Sequence, residues 1–331
     1  MAGPHQVAEH CRHRAERCVD KLNAVRQHRP HGLAEALWRL SAQPTLGWTD
    51  FKSQWLFCSD GGGVVTNSAK ESPSLLLERD GAVATIIIND APLNRMSLEF
   101  MDELERRADE LAADKSVRAV VITGAGDANF SVGMDLKQLP EGVRRKGSIE
   151  AVLDQRLRVL AAVENMGKPV IAAMFGYCLG GGLELPLACH FRVAAAEGAK
   201  IGLPELDLGT VPAWGGTARL TRCVGRDAAL NMILRARKIS GPEALRIGLV
   251  HEVWPNNDLQ RRARELAQEL AAMPSIAVAG VLRCVIGAGE KSLEEALAEE
   301  RRAVMRTMGT KDQQEGMRAF LEKRKPNFTG E

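Results

Sequence analysis

The 331-residue chain has no apolar run near the roughly 18 residues that a bilayer-crossing helix requires, so no transmembrane span is expected. Its start lacks the apolar stretch of a signal peptide. The arginines there (Arg12, Arg14, Arg17, Arg26, Arg29) are interrupted by Glu9, Glu16 and Asp20, against the acid-poor pattern of a transit peptide. A strong charge of one sign is also missing. Lys and Arg number 44 against 42 Asp and Glu, which gives no global pull toward nucleic acid or an anionic membrane. There is no Gly, four residues, Gly-Lys-Ser/Thr loop and no Gly-x-Gly-x-x-Gly turn between strand and helix, which disfavours nucleotide hydrolysis and nicotinamide chemistry. The seven cysteines are odd in number and irregularly spaced, the usage of reduced thiols. His10, Cys11, His13, Cys18, His28 and His31 fit no paired Cys-x-x-Cys or His-x3-His scheme, so no metal is expected. Together these absences point to the cytoplasm, or to the mitochondrial matrix in a eukaryotic cell.

What is present changes character near residue 70. The front piece holds five of the seven His and ends in the turn-rich Ser59-Asp60-Gly61-Gly62-Gly63. Residues 1–73 are taken as an extension, partly disordered, with one helix around 32–40. From about Ser74 the pattern is α/β. Val83–Ile88 is a buried-strand run, and Ser97 caps a helix to about Asp114 with Leu98, Met101, Leu104, Ala108 and Leu111 on one face. Strands follow at 117–123, 169–174 and 191–195, with a helix at 148–166. Beyond Gly216 the chain reads as a succession of helices. Residues 74–265 are expected to form the sheet-built core and residues 266–331 a helical C-terminal region.

The chemistry concentrates in Gly180-Gly181-Gly182-Leu183-Glu184, followed by Glu205 in Gly202-Leu203-Pro204-Glu205. Glycines at a helix start let a ligand oxygen approach bare N–H groups. Glu184 falls on the first turn of that helix, on the side of Gly181. Glu205 adds a second carboxylate from another turn. The set is one oxyanion donor with two acid/base groups, suited to moving protons beside a carbonyl.

Three ordered motifs carry a resemblance. They are Ala84–Asn89 with Pro92-Leu93-Asn94-Arg95-Met96, then Phe130-Ser131-Val132-Gly133-Met134-Asp135-Leu136-Lys137, then Gly176–Glu184 through Pro204–Gly209 to Gly215–Leu220. On these, residues 80–325 resemble the enoyl-CoA hydratase/isomerase (crotonase) family. The resemblance implies an α/β fold, a crotonase-like spiral of ββα units with a C-terminal helical region, assembled as a homotrimer or a dimer of trimers. It implies acyl-CoA as substrate and partner, no cofactor beyond the coenzyme A that the substrate carries, and an oxyanion hole formed by the N–H groups of Met134 and Gly181. Glu184 and Glu205 match the glutamate pair that hydratases of the family use. Arg95, Val132, Asp135, Leu136, Lys137, Gly180, Pro204 and Trp214 would lie along the acyl group or the CoA, with Lys137 and Arg95 toward its phosphates. Asp135 and Asp207 also suit turn capping.

Two positions depart from the family pattern. Trp214 stands where some dienoyl-CoA isomerases and aryl-CoA dehalogenases of the family carry an aspartate, and where simple hydratases carry a small residue. His190 replaces an aspartate and is read as structural. The leading expectation is a hydro-lyase adding water across a 2-enoyl-CoA thioester. Glu184 would be the base, and Glu205 would protonate C2. The alternatives are an enoyl-CoA isomerase or a CoA-thioester hydrolase of the same fold. An RNA-binding relative would want a lysine-rich helix face, whereas residues 102–110 are mixed and acidic.

Overall fold

The structure, a computed structural model, describes residues 73–331. All of the expected extension at 1–73 except its last residue, with its helix near 32–40 and its His/Cys cluster, lies outside the described residues.

Six strands make the main sheet: β1 (Leu75–Asp80), β2 (Val83–Ile88), β3 (Ala119–Gly124), β4 (Val170–Met174), β6 (Phe191–Ala195) and β8 (Glu252–Trp254), in the order β1-β2-β3-β4-β6-β8. Only the β1–β2 hairpin is antiparallel, with Leu75 opposite Ile88; every later pairing is parallel. Parallel strands covered on both faces need apolar residues throughout, and every residue of β3 and β4 is buried. A second, two-stranded sheet joins β5 (Tyr177–Leu179) to β7 (Lys200–Gly202) in parallel.

Each turn of the chain repeats one plan. An outer strand is followed by a short inner extended piece and then a helix. The inner pieces stack through the bridges Met96–Met134 and Ser131–Cys178 and the β5–β7 pair. The helices after them are α1 (Leu98–Ala113), α2 (Leu139–Lys146) with α3 (Ile149–Glu164), α4 (Gly181–Ala188) and α5 (Gly216–Val224). This is the anticipated spiral of ββα units. The Ser97 side chain accepts from Phe100 N at 3.0 Å and starts α1, whose buried face carries the five apolar residues anticipated plus Phe100.

After α6 (Arg226–Leu234) and α7 (Gly241–Arg246), α8 (Asn256–Ala271) packs on the main sheet, with Gln260 Nε2 donating to Thr123 Oγ1 at 2.7 Å. The division expected between 265 and 266 falls inside this single helix. α9 (Ser275–Gly287), α10 (Leu293–Thr307) and α11 (Lys311–Leu321) complete the C-terminal region. Among the described residues no single helix is long and apolar enough to cross a membrane. His190 proves a tie within the core. Its Nδ1 accepts from Val170 N at 2.9 Å and its Nε2 lies 3.1 Å from Glu164 O, and burial lowers its pKa, as a neutral imidazole in that role requires.

Candidate active site

Two backbone segments meet at the start of α4. The inner piece 131–134 is pinned to β5, because Ser131 N donates to Tyr177 O at 3.0 Å and Leu179 N donates to Ser131 O at 3.1 Å. On its other side Met96 N donates to Gly133 O at 2.8 Å and Asp135 N to Met96 O at 3.2 Å. The Ser131 hydroxyl accepts from Gly133 N at 3.0 Å and fixes the bend. Gly133 has φ +92°, and a Cβ there would lie 2.7 Å from Leu179 O and 3.1 Å from Gly181 N. Only glycine lets these two strands of backbone come so close. Met134 therefore follows a residue in contact with the Gly181 amide. Among the described residues, neither the Met134 nor the Gly181 N–H has an acceptor within the chain. Gly181 is the first residue of α4, where the helix dipole adds positive potential.

Glu184 projects from the first turn of α4 and is 2% exposed. Its Oε1 accepts two amides from the turn before α5, Trp214 N and Gly216 N, each at 2.8 Å. Gly216 has no Cβ because the carboxylate occupies that space; a built Cβ would be 2.8 Å from Glu184 Oε1. Burial raises the Glu184 pKa, and the two amide bonds oppose that rise by stabilising the ionised form.

Glu205 begins a short 3-10 turn (Glu205–Leu208) after Pro204 and faces Gly180, where a built Cβ would be 3.0 Å from its Oε1. Its Oε2 is buried without a hydrogen-bond partner. Burial pushes its pKa up to about 7; a bond from its own backbone N–H lowers it, and the charge of Glu184 raises it further. The second carboxylate thus feels the first. Burial thus pushes both carboxyls up, but only Glu184 has amide donors that oppose the rise, so the two like groups sit in unequal surroundings, as a base and an acid acting together require.

The remaining candidates sort by position. Trp214 is 3% exposed, and its indole packs against Gly181, where a built Cβ would meet ring atoms at 2.4–2.9 Å. Gly180 takes φ +54° as it enters α4, with its N–H on Gly202 O at 3.1 Å. Val132 N donates to Leu93 O at 3.1 Å, joining the site to the 90–96 loop. Asp135 accepts from Lys137 N at 3.2 Å and caps the 3-10 turn Leu136–Gln138, which leaves Leu136 and Lys137 exposed. Arg95 grips Asp90 through two bonds, at 2.6 and 3.0 Å, and so fastens its own loop. Sequence reasoning missed the Trp214 and Gly216 amides, Ser131, and the buried Arg156 of α3. The last was detectable, since Arg156 falls on the apolar stripe of Val152, Val159, Leu160 and Val163.

The sequence profile of the enoyl-CoA hydratase/isomerase family matches residues 78–331. A short-chain-enoyl-CoA hydratase from Clostridium acetobutylicum is 36% identical over 256 residues, 77% of this chain and 97% of that one. A relative from Dictyostelium discoideum, whose name includes the word mitochondrial, is 35% identical over 252 residues, 76% of this chain and 89% of that one. The crystal structure of an enoyl-CoA hydratase from Bacillus anthracis superposes with a TM-score of 0.73 at 35% identity, covering 78% of this chain and all of that one. The spiral, the paired glutamates and these matches agree: the chain belongs to the enoyl-CoA hydratase/isomerase family.

Proposed function

We propose that the protein is an enoyl-CoA hydratase, a hydro-lyase that adds water across the 2,3 double bond of a 2-enoyl-CoA thioester. The observation that carries this reading is the unequal carboxylate pair, Glu184 bonded by two amides and Glu205 buried with an unbonded Oε2, beside the glycine-rich start of α4. The thioester oxygen would lie on the N–H groups of Met134 and Gly181. Glu184 accepts a proton from water as the water oxygen bonds to C3. The C2–C3 π electrons shift toward the thioester carbonyl, whose oxygen becomes the enolate oxyanion on the two amides; as C2 takes the proton of Glu205 the carbonyl re-forms. Proton exchange between the two glutamates restores the starting state. Fixed N–H dipoles lower this barrier because they are oriented before the charge develops.

An isomerase or a thioester hydrolase would use the same oxyanion hole, but the first needs no base on water and the second needs no acid at C2. The test is crotonyl-CoA with product analysis, beside a 3-enoyl-CoA. Hydration of the first to the 3-hydroxyacyl thioester supports the proposal, and turnover confined to double-bond migration or CoA release overturns it. The pH dependence has a defined sign. Because the acid must carry its proton, kcat/KM for hydration should fall as pH rises through about 7, the value to which burial pushes Glu205. A kcat/KM profile flat from pH 6 to 9 would remove Glu205 from the acid role.

On this reading Lys137 and the Arg95 loop lie toward the CoA phosphates, and Val132, Leu136 and Pro204 line the path of the thioester. No further cofactor is required. The RNA-binding alternative is not favoured, since Arg106 and Arg107 of α1 are paired with Glu103 and Glu110 of the same helix. The enzyme is assigned to the cytoplasm, or to the mitochondrial matrix in a eukaryotic cell. We also infer a closed assembly of copies, a trimer or a dimer of trimers. α9–α11 leave Val285, Leu293, Phe320 and Leu321 more than two-thirds exposed, a set of apolar side chains that a second copy would cover. Light scattering should give a mass three or six times that of the chain, and a monomer would refute the inference.

A further inference from the structure

Arg156 is 0% exposed, yet only part of its guanidinium is bonded. Nη1 donates to Gln155 Oε1 at 2.7 Å, while Nε and Nη2 are buried without an acceptor. The acidic groups whose charge it feels, Asp102 and Glu105 of α1, are bonded by other residues. Gln155 Nε2 donates to both, at 2.7 and 2.8 Å, Lys146 reaches Asp102 at 2.9 Å, and Arg158 reaches Glu105 at 3.2 Å. A buried charged donor left unpaired costs at least about 1–3 kcal/mol, and arginine cannot escape that cost by losing its proton.

The unpaired edge is chemically specific. Nε and Nη2 together are the side of a guanidinium that takes a carboxylate in two parallel bonds. Arg95 uses this edge on Asp90, and Arg219 uses it on Glu164, with Nε on Oε1 and Nη2 on Oε2. Its location is specific too. The Arg156 guanidinium carbon is 6.0 Å from the centroid of the Trp214 ring, and that ring lies on Gly181 at the oxyanion hole. The backbone of Trp214 is bonded to Glu184. The guanidinium is therefore one aromatic ring away from the glycine that opens α4.

We infer that Arg156 recognises a carboxylate at the far end of the acyl group, so that the preferred substrates are 2-enoyl-CoA thioesters of dicarboxylic acids, with Trp214 as the apolar wall along which the chain lies. This inference rests on the hydratase reading and names its substrate class. A terminal carboxylate would satisfy both unpaired donors at once, whereas a methyl end would leave them buried and unpaired. A site built around such donors rejects the analogue that lacks the acceptor far more strongly than it rejects a change of one methylene.

The test measures kcat/KM of the wild-type protein for 2-enedioyl-CoA thioesters of five to eight carbons against uncharged 2-enoyl-CoA thioesters of equal length. At least one dicarboxylic substrate should exceed its uncharged counterpart by on the order of 10²-fold, and Arg156→Met should collapse that ratio. The same variant should melt no lower than wild type, since it removes a buried charge that makes no direct ion pair. Preference for the uncharged chain at every length, with crotonyl-CoA still hydrated, overturns the inference and leaves the hydratase reading standing. Failure to hydrate any thioester overturns both. The wild-type ratio decides the matter even if Arg156→Met does not fold.

Discussion

Glu205→Gln and Glu184→Gln should each lower kcat for crotonyl-CoA hydration by roughly 10²–10⁴-fold, the range for removing a general acid or base. The two variants fail for different reasons. Gln at 205 keeps the shape of the side chain beside Gly180 but has no proton of suitable acidity for C2. Gln at 184 can still accept the Trp214 and Gly216 amides through its carbonyl oxygen, so the turn before α5 should hold. Its NH2 would then face the water, which loses its proton acceptor. KM should change little in either case, because these groups do not hold the CoA. The double variant should be hardly worse than the poorer single one, since base and acid serve one addition and act as a unit. Thermal stability gives an independent check. Glu205 has a folded pKa raised from 4.5 to about 7, so its favourable contribution is complete below pH 4.5 and is lost as pH rises through 7. The melting temperature of Glu205→Gln relative to wild type should therefore increase between those values and level off above them. Near-wild-type turnover in either single variant would end the assignment of both roles.

How much of this was legible in the chain depends on the distance over which each signal acts. Helices with a capping serine and a long apolar stripe were plain. α1 after Ser97 begins within a residue of its expected start, and α3 after Ser148 does likewise. The glycine triplet and both glutamates were visible because motif spacing preserves local geometry. β5 and β7, at three residues each, are too short for any period to register, and they exist because the inner pieces stack on one another. β1 escaped because its outer half, Glu78–Asp80, is exposed and polar, as an edge strand can be. α2 was hidden by its proline and glycine, although Pro140 sits in the first turn, where the missing N–H costs nothing. The pairing of Glu184 with the amides of residues 214 and 216, some thirty positions away, is a tertiary fact. So is the lack of any acceptor for two Arg156 donors. Trp214 was recognised as an oddity, but its place against Gly181 emerged only once α4 and α5 were packed together.

The second large effect is expected from Gly182→Ala, which deletes no catalytic group. A Cβ at Gly182 would lie 2.3 Å from Ser131 O, 2.9 Å from Ser131 C and 3.0 Å from Ser131 Cβ. The obstacle is backbone, and it is tied on both sides by the bonds from Ser131 N to Tyr177 O and from Leu179 N to Ser131 O. Ser131 cannot rotate aside, so relief must come from separating the 131–134 piece from α4 by about 1 Å, to ordinary packing distance. Those are the two elements that carry the Met134 and Gly181 amides. Losing one oxyanion donor costs about 3–4 kcal/mol, and a 1 Å misplacement alone can cost roughly 10²-fold. The variant should therefore lose at least about 10²-fold in kcat/KM on crotonyl-CoA well below its melting temperature, while affinity for free CoA, measured by calorimetry, is kept. Its melting temperature should also fall, as expected when a close backbone approach is forced open. A variant that melts lower but hydrates crotonyl-CoA at the wild-type rate at 25 °C would mean that the inner piece relaxes without moving its amide. The oxyanion would then have to be held by groups other than Met134 N and Gly181 N.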